Sequence, residues 1–279
     1  MMAAEKARPI LITGCSSGIG YVTANALRER GYRVFASARK QRDTQRLAEE
    51  GFASVRLDLD DSRSISDALE EVFEQTGGKL YALFNNGAYG QPGAVEDLSR
   101  DVLRAQFETN LFGWHELTRR VIQVMRKQGE GRIIQNSSVL GLVALPYRGA
   151  YTASKFALEG LSDTLRMELH GSGVHISLIE PGPIESRFRA NSLIMAKKYI
   201  DMENSVHRES YKATVARLAK EGAAVSFTLP TEAVLKRVIH ALESPRPRAR
   251  YYVTVPTYLL GNLKRVLSTA ALDWITRRI

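Results

Sequence analysis

Cysteine is almost absent from this chain of 279 residues, and its single cysteine, Cys15, excludes a disulfide within one copy. Disulfide frameworks are typical of secreted proteins, so their absence favours a reducing compartment. The first residues also lack the charged and then apolar pattern of a secretory signal segment. The apolar residues from Ile10 to Thr13 have the composition of a strand instead. We therefore expect a cytoplasmic protein.

Long apolar runs are missing as well. No uninterrupted apolar stretch approaches the about 18 residues that a membrane-spanning helix needs. The five histidines are scattered without metal-ligand spacing, so we expect no metal site. No long linker rich in proline, glycine or serine and no repeat divides the sequence, which predicts one domain over residues 1–279.

The balance of charge is strongly basic, with a formal net charge of +9 at pH 7. Nucleic acid, an anionic membrane and an anionic cofactor could each explain such an excess. The lysines and arginines are spread along the chain, and no helix-turn-helix, RNA-binding or zinc-finger pattern accompanies them. We expect a solvated basic surface and an anionic small ligand, without a nucleic-acid partner.

Short apolar segments alternate with helical patterns along the chain. The segments expected to form strands are Pro9–Thr13, Arg33–Ala38, Ala53–Leu57, Leu80–Asn85, Gly131–Ser137, Val174–Glu180 and Tyr251–Val255. The expected helices are Ile19–Arg30, Gln41–Glu50, Ser62–Thr76, Asp101–Lys127 and Tyr151–His170. This order predicts the α/β class and a doubly wound parallel sheet, the Rossmann fold. Ligands of such sheets bind beyond the carboxyl ends of the strands, where Gly14, Asn85, Ser138 and Pro181 fall.

A glycine-rich turn joins the first expected strand to the first expected helix. Its sequence, TGCSSGIG from Thr13 to Gly20, places three residues between the first two glycines and one between the last two. Glycines at this junction let the backbone approach a pyrophosphate, whose charge the helix N-terminus stabilises. Many glycine clusters are simple turns, but this position favours a dinucleotide site.

Tyr151 and Lys155 are spaced one helical turn apart, and Ser138 precedes them at the end of the fifth strand. A lysine ammonium on the same helix face is expected to lower the pKa of the phenol. The phenol could then exchange protons near neutral pH while the Ser138 hydroxyl holds a carbonyl or alcohol oxygen. Chance alone often produces the Tyr–Lys spacing, so the prediction depends on the surrounding motifs.

Taken together, these motifs resemble the single-domain branch of the short-chain dehydrogenase/reductase family, and the resemblance covers roughly the whole chain. The segments TGCSSGIG, ASAR and IEPGPI resemble in particular hydroxysteroid and retinol dehydrogenases and bacterial NADP-dependent aldehyde reductases. The resemblance implies Asn110, Ser138, Tyr151 and Lys155 as catalytic residues, with the backbone at Asn110 holding a water linked to the lysine. It also implies a homo-oligomer, either a dimer or a tetramer.

The end of the second strand bears on the choice of nicotinamide cofactor. An acidic residue there would bind the ribose hydroxyls of NAD and repel a 2′-phosphate, but Ala38 and Arg39 occupy this place. Arg39 can form charge-assisted hydrogen bonds to a phosphate, and Ser17 is placed to add a hydroxyl. An ordinary surface arginine is the alternative. We expect NADP(H).

The resemblance implies further cofactor contacts, with Asp58 and Leu59 at the adenine and the backbone of Ile184 at the nicotinamide carboxamide. The complete expected set is Gly14, Ser16, Ser17, Gly18, Ile19, Arg39, Asp58, Leu59, Asn85, Gly87, Tyr151, Lys155, Pro181, Gly182, Ile184 and Ser186. Gly87 and Ala88 reverse the family's usual Ala-Gly order. An alanine at position 88 would crowd the backbone if that position requires a positive φ.

Residues 187–229 mix apolar and charged side chains in a long connection after the sixth strand, as a helical substrate lid would. A peripheral pair of helices is the alternative. With the lid, Leu140, Leu145 and Tyr147 are the expected substrate contacts, and their character favours an apolar aldehyde, ketone, retinoid or steroid. Residues 258–279 predict a basic amphipathic helix, which could lie on a membrane surface or pack on its own domain or a partner subunit.

The sequence thus predicts an NADP(H)-dependent carbonyl reductase or alcohol dehydrogenase. In the reductive direction Tyr151 gives its proton to the substrate oxygen, Ser138 fixes that oxygen, and Lys155 holds the nicotinamide ribose. The alternative from another class is a catalytically idle protein that senses NADP(H) and signals through partners. Such a protein would be expected to have lost the tyrosine or the lysine, and both are present.

Overall fold

The computed structural model describes residues 7–220, 222 and 225–279 of the chain. Within them, seven parallel strands form one sheet in the order β3-β2-β1-β4-β5-β6-β7. The strands are β1 (Pro9–Ile12), β2 (Arg33–Ala38), β3 (Ala53–Arg56), β4 (Ala82–Asn85), β5 (Gly131–Asn136), β6 (Val174–Glu180) and β7 (Arg250–Tyr252). The strand order reverses between β1 and β4, so a crevice opens there at the carboxyl edge of the sheet.

Helices connect the strands and cover both faces of the sheet. They are α1 (Gly18–Glu29), α2 (Gln41–Glu49), α3 (Ser62–Thr76), α4 (Arg100–Phe107), α5 (Gly113–Gln128), α6 (Gly149–Glu168), α7 (Phe188–Tyr199), α8 (Arg208–Ala219), α9 (Glu232–Glu243), α10 (Val255–Val266) and α11 (Thr269–Thr276). The doubly wound parallel sheet predicted from the sequence is confirmed, and the chain forms a single domain around it.

Two apolar layers hold the sheet in place, one on each face. In β1, Ile10 and Ile12 pack with α1, α2 and α9, whereas Leu11 between them packs with α3, α5 and α6. Alternate side chains of a strand point to opposite faces, so a strand buried on both sides needs apolar residues throughout. This explains the near-continuous apolar character of the strand sequences.

The long helix expected over Asp101–Lys127 is interrupted. Between α4 and α5 the chain forms a π-helical segment, Glu108–Phe112, which closes with a hydrogen bond from the Gly113 amide to the Glu108 carbonyl. The Asn110 side chain in this segment bonds the backbone of Tyr89, which lies outside the helix. A long-range contact therefore accompanies the wider turn, and helical periodicity carries no signal for it.

The C-terminal part of the chain differs most from the sequence prediction. The last strand ends at Tyr252, because Val255 already begins α10 and Pro256 suits the first turn of a helix. The single helix predicted over residues 258–279 is two helices, α10 and α11, and Ser268 caps the second by accepting a hydrogen bond from the Ala271 amide. Sequence analysis missed α9 altogether.

The segment predicted as a lid contains two helices, α7 and α8, which pack against each other. Leu229 then returns to the loop after β6, where its amide donates to the Pro183 carbonyl and its carbonyl accepts from the Glu185 amide. Positions 221, 223 and 224 of the predicted lid lie outside the described residues. No helix in the described part of the chain is long and apolar enough to cross a membrane.

Candidate active site

Ser138, Tyr151 and Lys155 come from two neighbouring elements at the carboxyl edge of the sheet. Ser138 follows β5, where its Oγ accepts a hydrogen bond from the Leu140 amide at 3.1 Å and caps a short 3₁₀ turn. Tyr151 and Lys155 lie in the first turns of α6, with the Lys155 Nζ 5.6 Å from the centroid of the Tyr151 ring. The structure therefore brings the three predicted residues together.

The Lys155 side chain is completely buried. Its Nζ donates to the Asn136 carbonyl oxygen at 2.8 Å and lies 4.1 Å from the centroid of the Trp114 ring, as in a cation–π contact. Loss of water lowers the pKa of this ammonium to about 7, although Glu159, one turn further along α6, acts in the opposite direction. The lysine therefore changes charge near neutral pH.

The predicted lowering of the Tyr151 pKa is wrong, because the pKa of this phenol is raised. Burial raises the pKa of the phenol to about 12, and the neighbouring Ser138 hydroxyl offsets only part of this effect. Desolvation outweighs the influence of Lys155, because burial disfavours both the phenolate and the ammonium. At neutral pH Tyr151 is consequently a phenol with a proton to give.

A chain of hydrogen bonds links the glycine-rich turn to Lys155. The Thr13 Oγ1 accepts from the amides of Asn86 and Gly87, each at 2.8 Å, and the Asn86 Nδ2 donates to the Thr13 carbonyl at 3.0 Å. The Asn136 Nδ2 donates to the Asn86 Oδ1 at 2.9 Å, and the Asn136 carbonyl accepts from Lys155. The ends of β1, β4 and β5 are thus fixed relative to one another.

Asn110 fixes the loop that follows β4. Its Nδ2 donates to the Tyr89 carbonyl at 2.8 Å, and its Oδ1 accepts from the Tyr89 amide at 3.2 Å. Both bonds use the side chain, so the backbone of the π-helical segment remains the part available for the predicted water contact. That contact remains a prediction.

The glycine-rich turn has the shape and charge that a pyrophosphate requires. Gly14 has a φ of +72°, and a Cβ there would lie 2.6 Å from the Gly87 Cα. A Cβ on Gly20 would lie 2.4 Å from the Gly14 carbonyl oxygen, so this close packing needs glycine at both places. Ser17 starts α1 without a side-chain cap, which leaves the first amides of the helix available to an anion. The turn therefore fits a dinucleotide cofactor.

Other residues of the turn hold it in position. The Ser16 carbonyl accepts a hydrogen bond from the Arg46 guanidinium at 2.8 Å, and Ile19 packs against the apolar layer beneath α1. Ser186, from the loop after β6, lies opposite Gly18, because a Cβ on that glycine would be 3.4 Å from the Ser186 Cβ. Two distant parts of the predicted cofactor site therefore meet here.

The Asn85 side chain points into the protein, so the predicted cofactor contact of this residue, which remains a prediction, would fall to its backbone. Asn85 has no exposed surface, and its Nδ2 donates to the Thr118 Oγ1 at 2.9 Å and to the Gln135 Oε1 at 3.0 Å. These bonds tie β4 to α5 and β5 inside the protein, so the side chain offers nothing to a ligand. Asn86, which sequence analysis passed over, is the residue that connects the motifs.

The steric conflict considered for Ala88 is absent, because Ala88 does not have a positive φ. Gly87 also has an ordinary φ, but a Cβ on it would lie 3.2 Å from the Gly14 nitrogen, which is a tight contact. The present order of these two residues is therefore compatible with the local backbone. With alanine at position 88 rather than 87, no Cβ lies against the glycine-rich turn at position 87.

Arg39 extends from the end of β2 as an exposed side chain, and it makes no ion pair within the described ranges. Asp58 is half-buried beyond β3, where its Oδ1 accepts from the Asp60 amide at 3.2 Å, and Leu59 is buried beside it. All three residues lie at the carboxyl edge on the β2–β3 side of the crevice.

The turn after β6 approaches the segment of Ser138 from the other side. The Pro181 carbonyl accepts from the Val139 amide at 2.8 Å, so the turn is bonded directly to the segment that carries Ser138. A Cβ on Gly182 would lie 2.1 Å from the Thr254 Oγ1, and Ile184 forms an isolated bridge with Leu229. This loop is thus held between the sheet and the lid segment.

The three residues predicted to contact substrate lie in the loop between β5 and α6. Leu140 is buried and Leu145 is half-buried. Tyr147 has a φ of +61°, and its ring packs edge-on against the His207 ring, with the centroids 5.5 Å apart. Tyr147 thereby joins the loop to the segment carrying α8, which is compatible with a shared substrate wall.

Phe188, at the start of the segment predicted as a lid, contacts Tyr151. Its ring packs against the Tyr151 ring with the centroids 5.4 Å apart, and a Cβ on Gly90 would lie 2.8 Å from it. Sequence analysis placed Phe188 among the apolar residues of the lid but gave it no contact. The sequence did indicate a position near the site, because Phe188 closely follows the proline-containing turn after β6.

Three more residues around Lys155 were not predicted to belong to the site: Trp114, Asn136 and Glu159. Glu159 had a local signal, since it follows Lys155 by one helical turn. Trp114 and Asn136 come from α5 and β5, so their contact with the lysine depends on the assembled sheet. No group of residues with metal-ligand geometry occurs in the part of the chain that the structure describes.

Comparison with known proteins agrees with this site. The family model described as short chain dehydrogenase matches residues 8–196. An uncharacterized oxidoreductase, YbbO of Escherichia coli K12, is 43% identical over 268 residues, which cover 96% of this chain and 93% of YbbO. Human 17-beta-hydroxysteroid dehydrogenase type 1 is 34% identical over 260 residues, covering 88% of this chain and 77% of the human protein.

Among solved structures, a substituted actinorhodin polyketide ketoreductase with NADPH superposes with a TM-score of 0.73 at 25% identity. The match covers 90% of this chain and 97% of the ketoreductase. The predicted resemblance to the family, including its hydroxysteroid dehydrogenases, is confirmed. With the glycine-rich turn, the sheet order and Ser138, Tyr151 and Lys155 all in place, the chain belongs to the short-chain dehydrogenase/reductase family and is an oxidoreductase with a nicotinamide cofactor.

Proposed function

We propose that the protein is an NADP(H)-dependent carbonyl reductase that acts on apolar aldehydes or ketones and oxidises the matching alcohols in reverse. The observation that carries this proposal is the meeting of Ser138, Tyr151 and Lys155 beside the glycine-rich turn. One wall of the site therefore suits a dinucleotide and the other supplies a proton donor. NADPH, when bound, supplies the hydride that reduces the carbonyl carbon.

Three residues of the chain supply the proton, position the substrate oxygen and bind the nicotinamide ribose. The Tyr151 hydroxyl donates its proton to the carbonyl oxygen as negative charge develops there, and its raised pKa keeps that proton available at neutral pH. The Ser138 hydroxyl donates a hydrogen bond to the same oxygen and fixes its position. Lys155 holds the nicotinamide ribose, and its ammonium favours the phenolate that Tyr151 leaves behind.

The choice of NADP(H) over NAD(H) is supported by charge at the end of β2. Ala38 stands where an acid would bind the ribose hydroxyls, and the next residue is the exposed Arg39. A guanidinium can pair with a 2′-phosphate through two parallel hydrogen bonds. The ketoreductase described above carries NADPH, which agrees with this assignment.

An apolar substrate is supported by the side chains around the Tyr151 hydroxyl. Phe188 packs on the tyrosine ring, and Leu140, Leu145 and Tyr147 lie in the loop that precedes α6. Apolar walls with a few polar groups at one end are typical of sites that take an apolar ligand and orient one oxygen. The steroid named for the human relative is of this chemical class.

The test is to mix the protein with NADPH and a panel of aldehydes and ketones, graded in size and apolar surface, and to follow the absorbance of the reduced nicotinamide. We expect turnover that increases with apolar character and that the Tyr151→Phe variant lacks. The Leu161→Ala variant, at an exposed position on the same helix, is the matched control and should behave as wild type.

No turnover with any carbonyl, despite NADPH binding, would contradict the proposal and favour the catalytically idle sensor instead. Equal rates for wild type and Tyr151→Phe would show that another acid supplies the proton. Equal rates with polar and apolar carbonyls would contradict the proposed substrate class but would still support carbonyl reduction.

A further inference from the structure

A second cleft, separate from the predicted active site, opens between α9, β7 and α10. Its volume is about 240 Å³, and its lining consists of Arg237, His240, Arg248, Arg250, Tyr251, Tyr252, Tyr258 and Arg265. None of these residues belongs to the catalytic or cofactor sets. Four guanidinium groups surround the cleft and no carboxylate lines it, so its walls carry a concentrated positive charge.

Three of the four arginines are free to receive an anion. Within the described residues, Arg237, Arg248 and Arg265 form no ion pair. Arg237 is half-buried, and its Nη2 donates only a long hydrogen bond, 3.5 Å, to the Tyr258 hydroxyl. Three like charges thus line one cleft, and within the described residues none of the three is paired with a carboxylate.

Arg250 has a different role, because its charge is already compensated on the side away from the cleft. It pairs with Glu159, with Glu180 at 2.8 Å and with Asp163 at 2.5 Å. The three carboxylates hold the guanidinium in place at the base of the cleft. Arg250 therefore forms a fixed wall, while the other arginines supply the uncompensated charge.

The tyrosines and the histidine add fixed polar groups to this wall. The Tyr251 hydroxyl accepts from the Arg248 amide at 2.9 Å and forms a second hydrogen bond with the His240 Nδ1 at 2.8 Å, in a direction set by the tautomer of the imidazole. These bonds fix the tyrosine and the histidine relative to each other. Tyr252 and Tyr258 pack edge-on with their ring centroids 5.4 Å apart, which orders a second aromatic side.

We propose that this cleft binds a phosphate group. Three unpaired guanidiniums match a tetrahedral dianion, which accepts hydrogen bonds in several directions. A carboxylate carries one charge and is satisfied by a single bidentate arginine, so it would leave the other two uncompensated. A phosphate monoester, which carries about two negative charges near neutral pH, is the ligand class that fits this charge.

The surface next to the cleft determines which sources of phosphate must be compared. On α10, Val255, Leu259 and Val266 form an exposed apolar stripe beside Tyr258 and Arg265, at 56%, 57% and 78% exposure. This arrangement suits the acyl region below a lipid phosphate, whereas the cleft alone suits a soluble phosphate monoester. Both sources present the same chemical group to the arginines.

The test measures binding of glycerol 3-phosphate by calorimetry, and of vesicles by sedimentation, in the presence of saturating NADP⁺ and at constant ionic strength. The vesicles are phosphatidylcholine with and without phosphatidic acid. The variant Arg237→Gln/Arg248→Gln/Arg265→Gln removes the free charges of the cleft. The matched control removes the same charge elsewhere, at the exposed Arg63, Arg100 and Arg119, each replaced by Gln.

Glycerol 3-phosphate binding that falls by about a hundredfold in the cleft variant and stays within about twofold in the control supports a soluble ligand. Binding only to vesicles with phosphatidic acid, lost in the same variant alone, supports a lipid headgroup. Equal losses in the cleft and control variants, or no binding in either arm by folded wild-type protein, would overturn the proposal. The unfolding temperature of each variant confirms that it is folded.

Discussion

At Lys155 the ammonium has exchanged bulk water for the Asn136 carbonyl oxygen and the face of the Trp114 ring. One hydrogen bond and one cation–π contact do not replace full hydration, so the pKa falls to about 7. The same loss of water raises the pKa of Tyr151 to about 12. The two residues therefore respond to burial in opposite directions, and each moves toward its neutral form.

This difference predicts a pH dependence. The ammonium is present below the pKa of Lys155 and is lost as the pH rises through about 7, while Tyr151 keeps its proton throughout. We expect kcat/KM for NADPH, which reports the free enzyme, to decline as the pH rises from 6 to 9. In the Lys155→Arg variant the charge does not titrate, so its lower activity should lack this decline. If kcat/KM declined with pH in the same way in wild type and in the Lys155→Arg variant, Lys155 would not be the titrating group.

A second prediction concerns Thr13, whose hydroxyl oxygen accepts from two backbone amides. Thr13→Val keeps the shape of the side chain but leaves both amides without this partner, which should lower the free energy of unfolding by about 1–3 kcal/mol. Thr23→Val is the matched control, because the Thr23 hydroxyl is equally buried and has no partner among the described residues. Urea unfolding without cofactor measures both, and equal losses would show that the Thr13 bonds contribute nothing specific.

At the scale of elements, local patterns were predicted well where the local sequence determines the structure. The glycine-rich turn of α1 and the Tyr151–Lys155 spacing on α6 each depend on a few consecutive residues. The π-helical segment and the bonds from Thr13 through Asn86 to Asn136 depend on residues far apart in sequence. Periodicity cannot reveal such contacts, because they form only when the strands lie side by side.

The missed helix α9 had a detectable signal. Val234, Val238, Ala241 and Leu242 lie on its buried face at helical spacing, and Pro230 shortly precedes its first turn. The burial of Tyr151 had no such signal, since it depends on residues distant in sequence, such as Phe188, whose ring packs against the tyrosine ring. Its pKa was accordingly predicted in the wrong direction.

The end of β2 carries the prediction of cofactor choice. In the variant Ala38→Asp/Arg39→Leu, the new carboxylate can bind the ribose hydroxyls of NADH and repels a 2′-phosphate. The ratio of kcat/KM for NADPH to that for NADH should fall by about a hundredfold or more, because a charge-assisted contact is lost and a repulsion is added. Replacing Lys40 by Leu, one residue beyond, is the control. A wild type that already prefers NADH would exclude Arg39 from the site.

At the scale of the whole molecule, the cofactor crevice lies between the two halves of the sheet, at the reversal between β1 and β4. A ligand there contacts elements from both halves and binds only the folded state. NADP⁺ at about a hundred times its Kd should therefore stabilise the protein by about 2.7 kcal/mol, and NAD⁺ at the same concentration by much less. Thermal unfolding measures the difference, and equal shifts for the two nucleotides would contradict the assignment of the 2′-phosphate site.

The central claim is that Tyr151 gives a proton to a carbonyl oxygen while the bound nicotinamide reduces the adjacent carbon. The most direct measurement uses NADPH carrying deuterium at both C4 positions and follows deuterium into the product alcohol by mass spectrometry, with wild type and Tyr151→Phe compared at equal occupancy by cofactor. We predict one deuterium at the carbinol carbon with wild type, and none above background with the variant, although both bind NADPH equally. Deuterium transfer at similar rates by both proteins would contradict the account.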